Sequence, residues 1–419
     1  MALTPDDRPA LGRIPIPRDR HFRPRRLGYS GLRRRPLAEI GAYSLLFGAL
    51  VVVIVAIFAV VPWLLTLPGS PFAANGELTA LGTIMYGISA ATLGFLVVAL
   101  AALILILMLR KYLGLVQNRH GPMHHGPAGA FQTVFDAIKL VSKEDFMPGR
   151  ADAAVFTLAP VIVFVSAFLL LAIIPFAPGW VLADLSVGLL FIIAAGTLGA
   201  YGVLIGGWSV GNKYGLLGGL RAAAQLVSYE IPLSISLLTV AVWVGSLNLS
   251  TIVEAQFALW TFIPLFISAC VYLVSSLAEI KMTPFDLPEA ESELVAGFNT
   301  EYSGMRFGFF FVAEFGELFL LPAIAVVVFF GGYHQPFANV WNFADVLSGW
   351  GALGPFLASL YGLLWFLLKT ALISWIIMWI RATLPRFRDD QLMEFCWKVL
   401  IPVSLVGLFV AVVLRLIFQ

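Results

Sequence analysis

The chain has 419 residues, of which 60% are hydrophobic and only 12% charged, and its formal net charge is +2. Soluble globular domains carry roughly 25% charged residues, so a surface this poor in charge excludes a water-soluble fold and places the chain in a bilayer. Two cysteines, Cys270 and Cys396, stand far apart in apolar runs with no CxxC pair or Cys/His cluster, so neither a disulfide framework nor an iron–sulfur or zinc site is indicated.

Residues 1–40 read as a disordered Arg/Pro-rich arm, with ten of the 26 basic residues before residue 36. The arm is not expected to be a signal peptide: the apolar run after it is too long, and no small-residue cleavage site follows. Apolar stretches of roughly 20 residues or more, long enough to span the hydrocarbon core, recur at 41–66, 80–108, 153–176, 184–207, 226–247, 258–278, 305–331, 353–381 and 396–418. Backbone groups in lipid must be bonded within their own segment, which leaves helices. The expected fold class is an all-α polytopic membrane protein of about nine transmembrane helices. With the arm cytoplasmic and the helices alternating, 24 of the 26 basic residues fall on the cytoplasmic side, and the other two, Lys369 and Arg415, lie inside spans. That asymmetry satisfies the positive-inside rule and puts the C-terminus on the opposite side. The arm's arginines, beside the membrane, suit anionic headgroups at roughly 1 kcal/mol each or an acidic docked subunit.

Between the second and third spans, Phe131, Val134, Phe135, Ile138 and Val141 follow helical spacing with Gln132, Asp136, Lys139 and Lys143 opposite. This predicts an amphipathic helix along the membrane surface or under a partner, though a loop helix resting idly on lipid fits as well. His120, His124 and His125 share the preceding loop but lack a third ligand at metal spacing. No glycine-rich phosphate loop or dinucleotide fingerprint is present, so the chain is not expected to bind nucleotide or to carry electrons. No internal repeat of 20–50 residues is visible, which weakens an inverted-repeat transporter reading.

The acids concentrate sharply. Eight of 24 fall between residues 279 and 317: Glu279, Asp286, Glu289, Glu291, Glu293, Glu301, Glu314 and Glu317. Pro284 and Pro288 bar a simple helix across PFDLP. A helix after Pro288 would stack Glu289 on Glu293 at i,i+4, and their repulsion would raise the pKa of one of them. A solvated loop could carry such acids idly. Glu314 and Glu317 are harder to dismiss, because they lie three residues apart inside an apolar span, as Glu230 and Lys369 lie inside others. Ionisable groups in hydrocarbon face polar interiors and mark ion or proton routes; a buried structural ion pair, with Lys369 serving one of the acids, is the alternative.

Residues 278–314, AEIKMTPFDLPEAESELVAGFNTEYSGMRFGFFFVAE, closely resemble the signature of the quinone-chamber membrane subunit of respiratory complex I, the H-type subunit family of bacterial NADH:quinone oxidoreductase. Three further blocks agree in order: 110–148, 206–232 and 380–398. The resemblance runs from about residue 85 to the C-terminus and implies an eight-helix core, so that 1–40 is an arm, 41–79 an additional N-terminal helix and loop, and 80–419 the core. It implies a funnel of proton-coupling acids, Glu230, Glu279, Glu289, Glu291, Glu293 and Glu314, to which Glu317 is added here. It also implies a quinone chamber, assigned here to Arg119, His124, Arg221, Lys281, Phe285, Asp286, Glu301 and Tyr302, and Arg381 matches a family position too. Quinone would be the substrate, with no cofactor bound by this chain. Iron–sulfur clusters and FMN would reside in partner subunits, the cluster-bearing ones docked on the cytoplasmic loops beside small and antiporter-like membrane subunits. Nucleic acid is not an expected partner.

The chain departs from the family pattern in the same region. Leu109 stands where the family usually has Glu, Met123 and His124 where it has Asn-Arg, Lys281 and Met282 where it has Asn-Arg, and Glu317 where it has Asn. Two other readings remain at this stage: the anchor of a related membrane-bound hydrogenase-type or other donor:quinone complex, and a stand-alone ion transporter. For the arm, deletion of residues 1–36 is expected to lower membrane retention or complex yield on native gels; unchanged yield would refute both roles given to its arginines.

Overall fold

The computed structural model describes residues 73–74, 77–78, 80–256, 262–289, 291–336, 343–348 and 354–418. The basic arm and the expected span at 41–66 lie outside them. Apart from a two-residue ladder pairing Ala73–Ala74 with Glu77–Leu78, the long elements are helices: α1 Ala80–Val116, α2 Gln132–Ser142, α3 Ala153–Ala172, α4 Gly188–Ser209, α5 Lys213–Val244, α6 Leu249–Ala255, α7 Phe262–Glu279, α8 Gly304–Phe329, α9 Gly354–Thr383, α10 Asp389–Phe395 and α11 Ile401–Phe418. Short helical turns also form at Glu291–Leu294 and Phe343–Ser348. Among the described residues seven helices are long and apolar enough to cross a membrane, and α7 is a shorter apolar one. They fall on eight of the nine expected stretches; the ninth is the one not described.

Two boundaries differ from expectation. Helix α5 begins at Lys213, well before the apolar run, because the Asn212 side chain caps it by accepting from Tyr214 N at 3.2 Å. At the C-terminal end α10 continues through a wider π-type turn, Cys396–Leu400, into α11.

Helix α8 is the axis of the bundle. Of its most apolar window 83% is enclosed by the molecule, against 22% for the last span, and α1, α3, α7 and α9 pack around it. Helices α4 and α5 approach backbone to backbone: a Cβ added at Gly207 would lie 2.6 Å from Gly215 O and 2.8 Å from Gly219 Cα, so only glycine fits that crossing.

Two interior prolines each free a carbonyl, and a neighbouring helix supplies the missing donor. Proline lacks the N–H that would bond four residues back. Pro322 in α8 leaves Leu318 O, to which Ser374 Oγ of α9 donates at 3.1 Å. Pro232 in α5 leaves Ser228 O, to which the buried Cys396 thiol donates at 3.1 Å. Tyr272 Oη adds a bond from α7 to Leu321 O at 3.1 Å. In an apolar bundle these groups have no water to turn to.

Lys369 corrects an expectation. Among the described residues its ammonium pairs with no acid; it donates to Phe330 O at 2.8 Å, Gly332 O at 3.0 Å and His334 O at 2.5 Å, where α8 ends. A cation there also meets the negative end of the helix dipole. His334 beside it is pushed down to about 4, by burial and then by the Lys369 charge, and so stays neutral at pH 7.

Ion pairs draw the basic loops into one layer. Arg110 bonds Asp136 of α2, Arg306 meets Asp145 at 3.3 Å, Arg386 meets Asp286 at 2.8 Å, and Arg221 bridges Glu293 at 2.7 Å and Asp389 at 3.0 Å. Helix α2 forms as predicted, with Phe135, Ile138 and Val141 exposed along its apolar face. For the proline carbonyls, Ser374→Ala is expected to lower stability by about 1–3 kcal/mol, the cost of a buried unpaired acceptor, measured as the unfolding midpoint in detergent. Ser374→Thr, which keeps the hydroxyl, should lose less, and equal losses would contradict the assignment.

Candidate functional site

Three carboxylates from three helices meet at one enclosed space. Glu230 of α5, Glu279 at the end of α7 and Glu317 of α8 line a cavity of about 20 Å³ together with Ser166 of α3 and Gly196 of α4. Roughly 10–15 Å³ of such space accommodates one water centre, so the cavity is wide enough to hydrate the acids. Helix α4 has glycines, Gly196 and Gly199, where Glu279 and Glu317 approach it. A Cβ at Gly199 would stand 2.9 Å from Ser166 Oγ and 3.9 Å from Glu317 Oε1. Glu230 is held from the same helix, its carboxylate accepting from the Thr197 hydroxyl.

On the loop side of this cavity lies Lys281. It is 6% exposed, and its Nζ stands 3.9 Å from Glu317 Oε2. Gln225 of α5 sets its turn by donating from one amide nitrogen to Ala278 O and Phe285 O, both at 2.8 Å. The Lys281 backbone has φ 58°, a left-handed conformation that non-glycine residues adopt uncommonly and that tends to collect at functional sites. Burial alone would lower its ammonium pKa, but the facing carboxylates of Glu317, Glu314, Glu289 and Glu279 outweigh it and hold it above the ordinary lysine value.

Glu289 extends the group into the loop. Its Oε1 accepts from Asn299 Nδ2 at 3.0 Å. Burial pushes its carboxyl up to about 7, against the opposing pull of Lys281, Arg381 and the Asn299 bond. Glu314, one turn before Glu317 on α8, interacts electrostatically with Glu289, Lys281, Arg381 and Glu317. Glu230, Glu279, Glu289, Glu314, Glu317 and Lys281 thus form one continuous electrostatic cluster from mid-bundle to the loop layer.

The remaining predicted residues divide. The expected stacking of Glu289 on Glu293 does not occur, because helix forms only from Glu291. Glu293 instead reaches outward to Arg221, and burial rather than Glu293 lifts the Glu289 pKa. Glu291 opens that turn, and its side chain is not among those described. Phe285 is buried edge-on to Tyr229, while Asp286 pairs with Arg386. Glu301 accepts from Asn212 Nδ2 at 2.9 Å. Tyr302 stacks on Phe156 at 4.2 Å, its hydroxyl pushed up to about 12 chiefly by burial. Arg119 and His124 are exposed, Arg119 bonding Gln117. Thr197, Gln225 and Asn299 were not legible as site residues, since neutral polar side chains carry no charge anomaly; only Gln225, inside an apolar run, gives a faint signal.

The family model described as NADH dehydrogenase matches residues 88–412. A relative from Brevibacillus brevis, the H subunit of its NADH-quinone oxidoreductase, is 44% identical over 79% of this chain and 94% of its own length. The H subunit from Anoxybacillus flavithermus is 47% identical over 75% of this chain and 89% of the relative, and that from Rhodospirillum rubrum 46% over 71% and 84%.

The Asn299 bond favours ionised Glu289, so Asn299→Leu is expected to move the Glu289 titration upward from about 7. Infrared titration of the carboxyl band in purified protein, with Glu289→Gln to assign it, checks this; an unmoved or lowered midpoint would contradict it.

Proposed function

Because the chain belongs to the NADH dehydrogenase family, that of the NADH-quinone oxidoreductase H subunits, we propose that its buried acid cluster couples quinone reduction to proton translocation. The chain is a multi-pass membrane subunit of a complex-I-type oxidoreductase. The observation that carries the coupling role is the cavity shared by Glu230, Glu279 and Glu317, continued electrostatically through Lys281, Glu314 and Glu289 to the loop layer.

The chemistry follows from the charges. A quinone enters from the bilayer and is reduced beside the 280–303 loop by electrons delivered from a cluster in a neighbouring subunit. Reduction brings negative charge and then draws protons. Glu289, near 7 and in the loop itself, is poised to exchange a proton at neutral pH. Each change of its charge alters the field on Lys281 and Glu314. Those groups in turn bias Glu317, Glu279 and Glu230 around a space wide enough for water, through which protons pass. The coupling is between charge states, and no electron crosses this chain.

The loop layer is the docking face for the cluster-bearing hydrophilic subunits and faces the cytoplasm, with the chain in the cell membrane. Small and antiporter-like membrane subunits take the relay onward. Arg221, bridging Glu293 and Asp389, holds the loop against the start of α10 and shapes the quinone side with Phe285, Asp286, Glu301 and Tyr302. Arg119 and His124 lie at its mouth.

In the intact complex Glu279→Gln is expected to lower coupled quinone reduction about a hundredfold or more, the usual range for losing a proton-transfer group, at unchanged complex yield. NADH-driven quinone reduction and proton uptake by vesicles measure it. Wild-type rates and pumping would overturn the relay.

A further inference from the structure

We propose that Lys281 is a positioning residue: as the counter-ion of Glu317, it fixes which carboxylate of the buried cluster is ionised. This inference rests on the relay reading above and adds an assignment of charge within it. Four carboxylates from three elements face one ammonium: Glu279 from α7, Glu289 from the loop, and Glu314 and Glu317 from α8. Arg381 of α9 is the second cation, and it acts on Glu289 and Glu314. One ammonium neutralises one carboxylate, so its placement decides where charge can reside in an apolar interior.

The geometry points to Glu317. Glu230 and Glu289 each have a neutral donor, Thr197 and Asn299 respectively. Glu317 Oε2 is buried with no hydrogen-bond donor among the described residues, and the ammonium of Lys281 stands 3.9 Å from it. Glu317 therefore has the lysine charge where Glu230 and Glu289 have a bond, and it is the one carboxylate of the cluster within ion-pair distance of that ammonium among the described residues. The lysine is built to deliver that charge. Its strained φ of 58° and the Gln225 bonds to Ala278 O and Phe285 O turn the side chain inward rather than toward the loop surface. At 3.9 Å the pair is longer than a direct hydrogen bond. Such a loose pair holds the carboxylate by charge without locking it, which leaves the ammonium able to turn toward Glu289 or Glu314 when Glu317 takes up a proton.

The test uses the intact complex with Lys281→Gln, Glu317→Gln and the double variant. Without the lysine charge, Glu317 should bind a proton. An additional carboxylic-acid carbonyl band should then appear in the infrared spectrum of Lys281→Gln and be missing from the double variant. Proton translocation should fall about tenfold in each single variant, while the double variant should lose no more than either single, as coupled sites do. No additional band, or losses that multiply in the double variant, overturns the proposal. Should Lys281→Gln fail to assemble, recovery of complex yield on adding Glu317→Gln supports the pair, and no recovery overturns it. Glu279→Gln in the same series separates the two claims: if it pumps normally the relay itself falls, and if it does not while the Lys281 and Glu317 losses multiply, only the pair falls.

Discussion

A carboxylate inside an apolar helix bundle needs a proton, a donor or a counter-charge, because bulk water is not there to solvate it and a water or two in a small cavity cannot replace it. Most of the site is a set of answers to that need. Glu230 takes the Thr197 hydroxyl, Glu289 the Asn299 amide and Glu317 the Lys281 ammonium. Gln225 holds the turn that delivers the lysine, and the bare stretch of α4 at Gly196 and Gly199 leaves room for the acids and the space between them. The acids differ in how they are satisfied, so a charge arriving from the loop side affects them unequally. That inequality is what a relay requires.

The same constraint governs the neutral backbone. Pro232 and Pro322 would orphan carbonyls in the bundle, and Cys396 and Ser374 from other helices satisfy them. Lys369 does the same for the end of α8, where three carbonyls converge on one ammonium. These side chains tie α5 to the C-terminal segment and α8 to α9. They hold the axis helix, with Glu314 and Glu317 on it, at a fixed height against its neighbours.

Much of the fold was legible because hydropathy and the length of a span are local properties. Eight of the expected stretches are helices, and the amphipathic segment at 132–142 is one as well. The start of α5 was missed because a cap at Asn212 and glycine packing against α4, rather than apolarity, make 213–225 helical. The acid cluster was visible as a charge anomaly, but its internal arrangement was not. Helical spacing paired Glu289 with Glu293, whereas a late helix start sends one inward to Asn299 and the other out to Arg221. Lys369 read as one of the ionisable groups marking a route, or alternatively as a partner for an acid, and bonds carbonyls instead. Lys281 and Glu317 stood out separately as departures from the family pattern; only the fold places them side by side.

The central claim is that the cavity between Glu230, Glu279 and Glu317 is a hydrated passage and not a packing defect. A structure of the assembled complex at a resolution that shows ordered solvent tests this most directly. Water density in that cavity, within hydrogen-bond distance of at least two of the three carboxylates, is the predicted result. A dry cavity, closed by repacked Leu170, Ile192, Leu233 and Leu321 so that the carboxylates are isolated from one another, would contradict it.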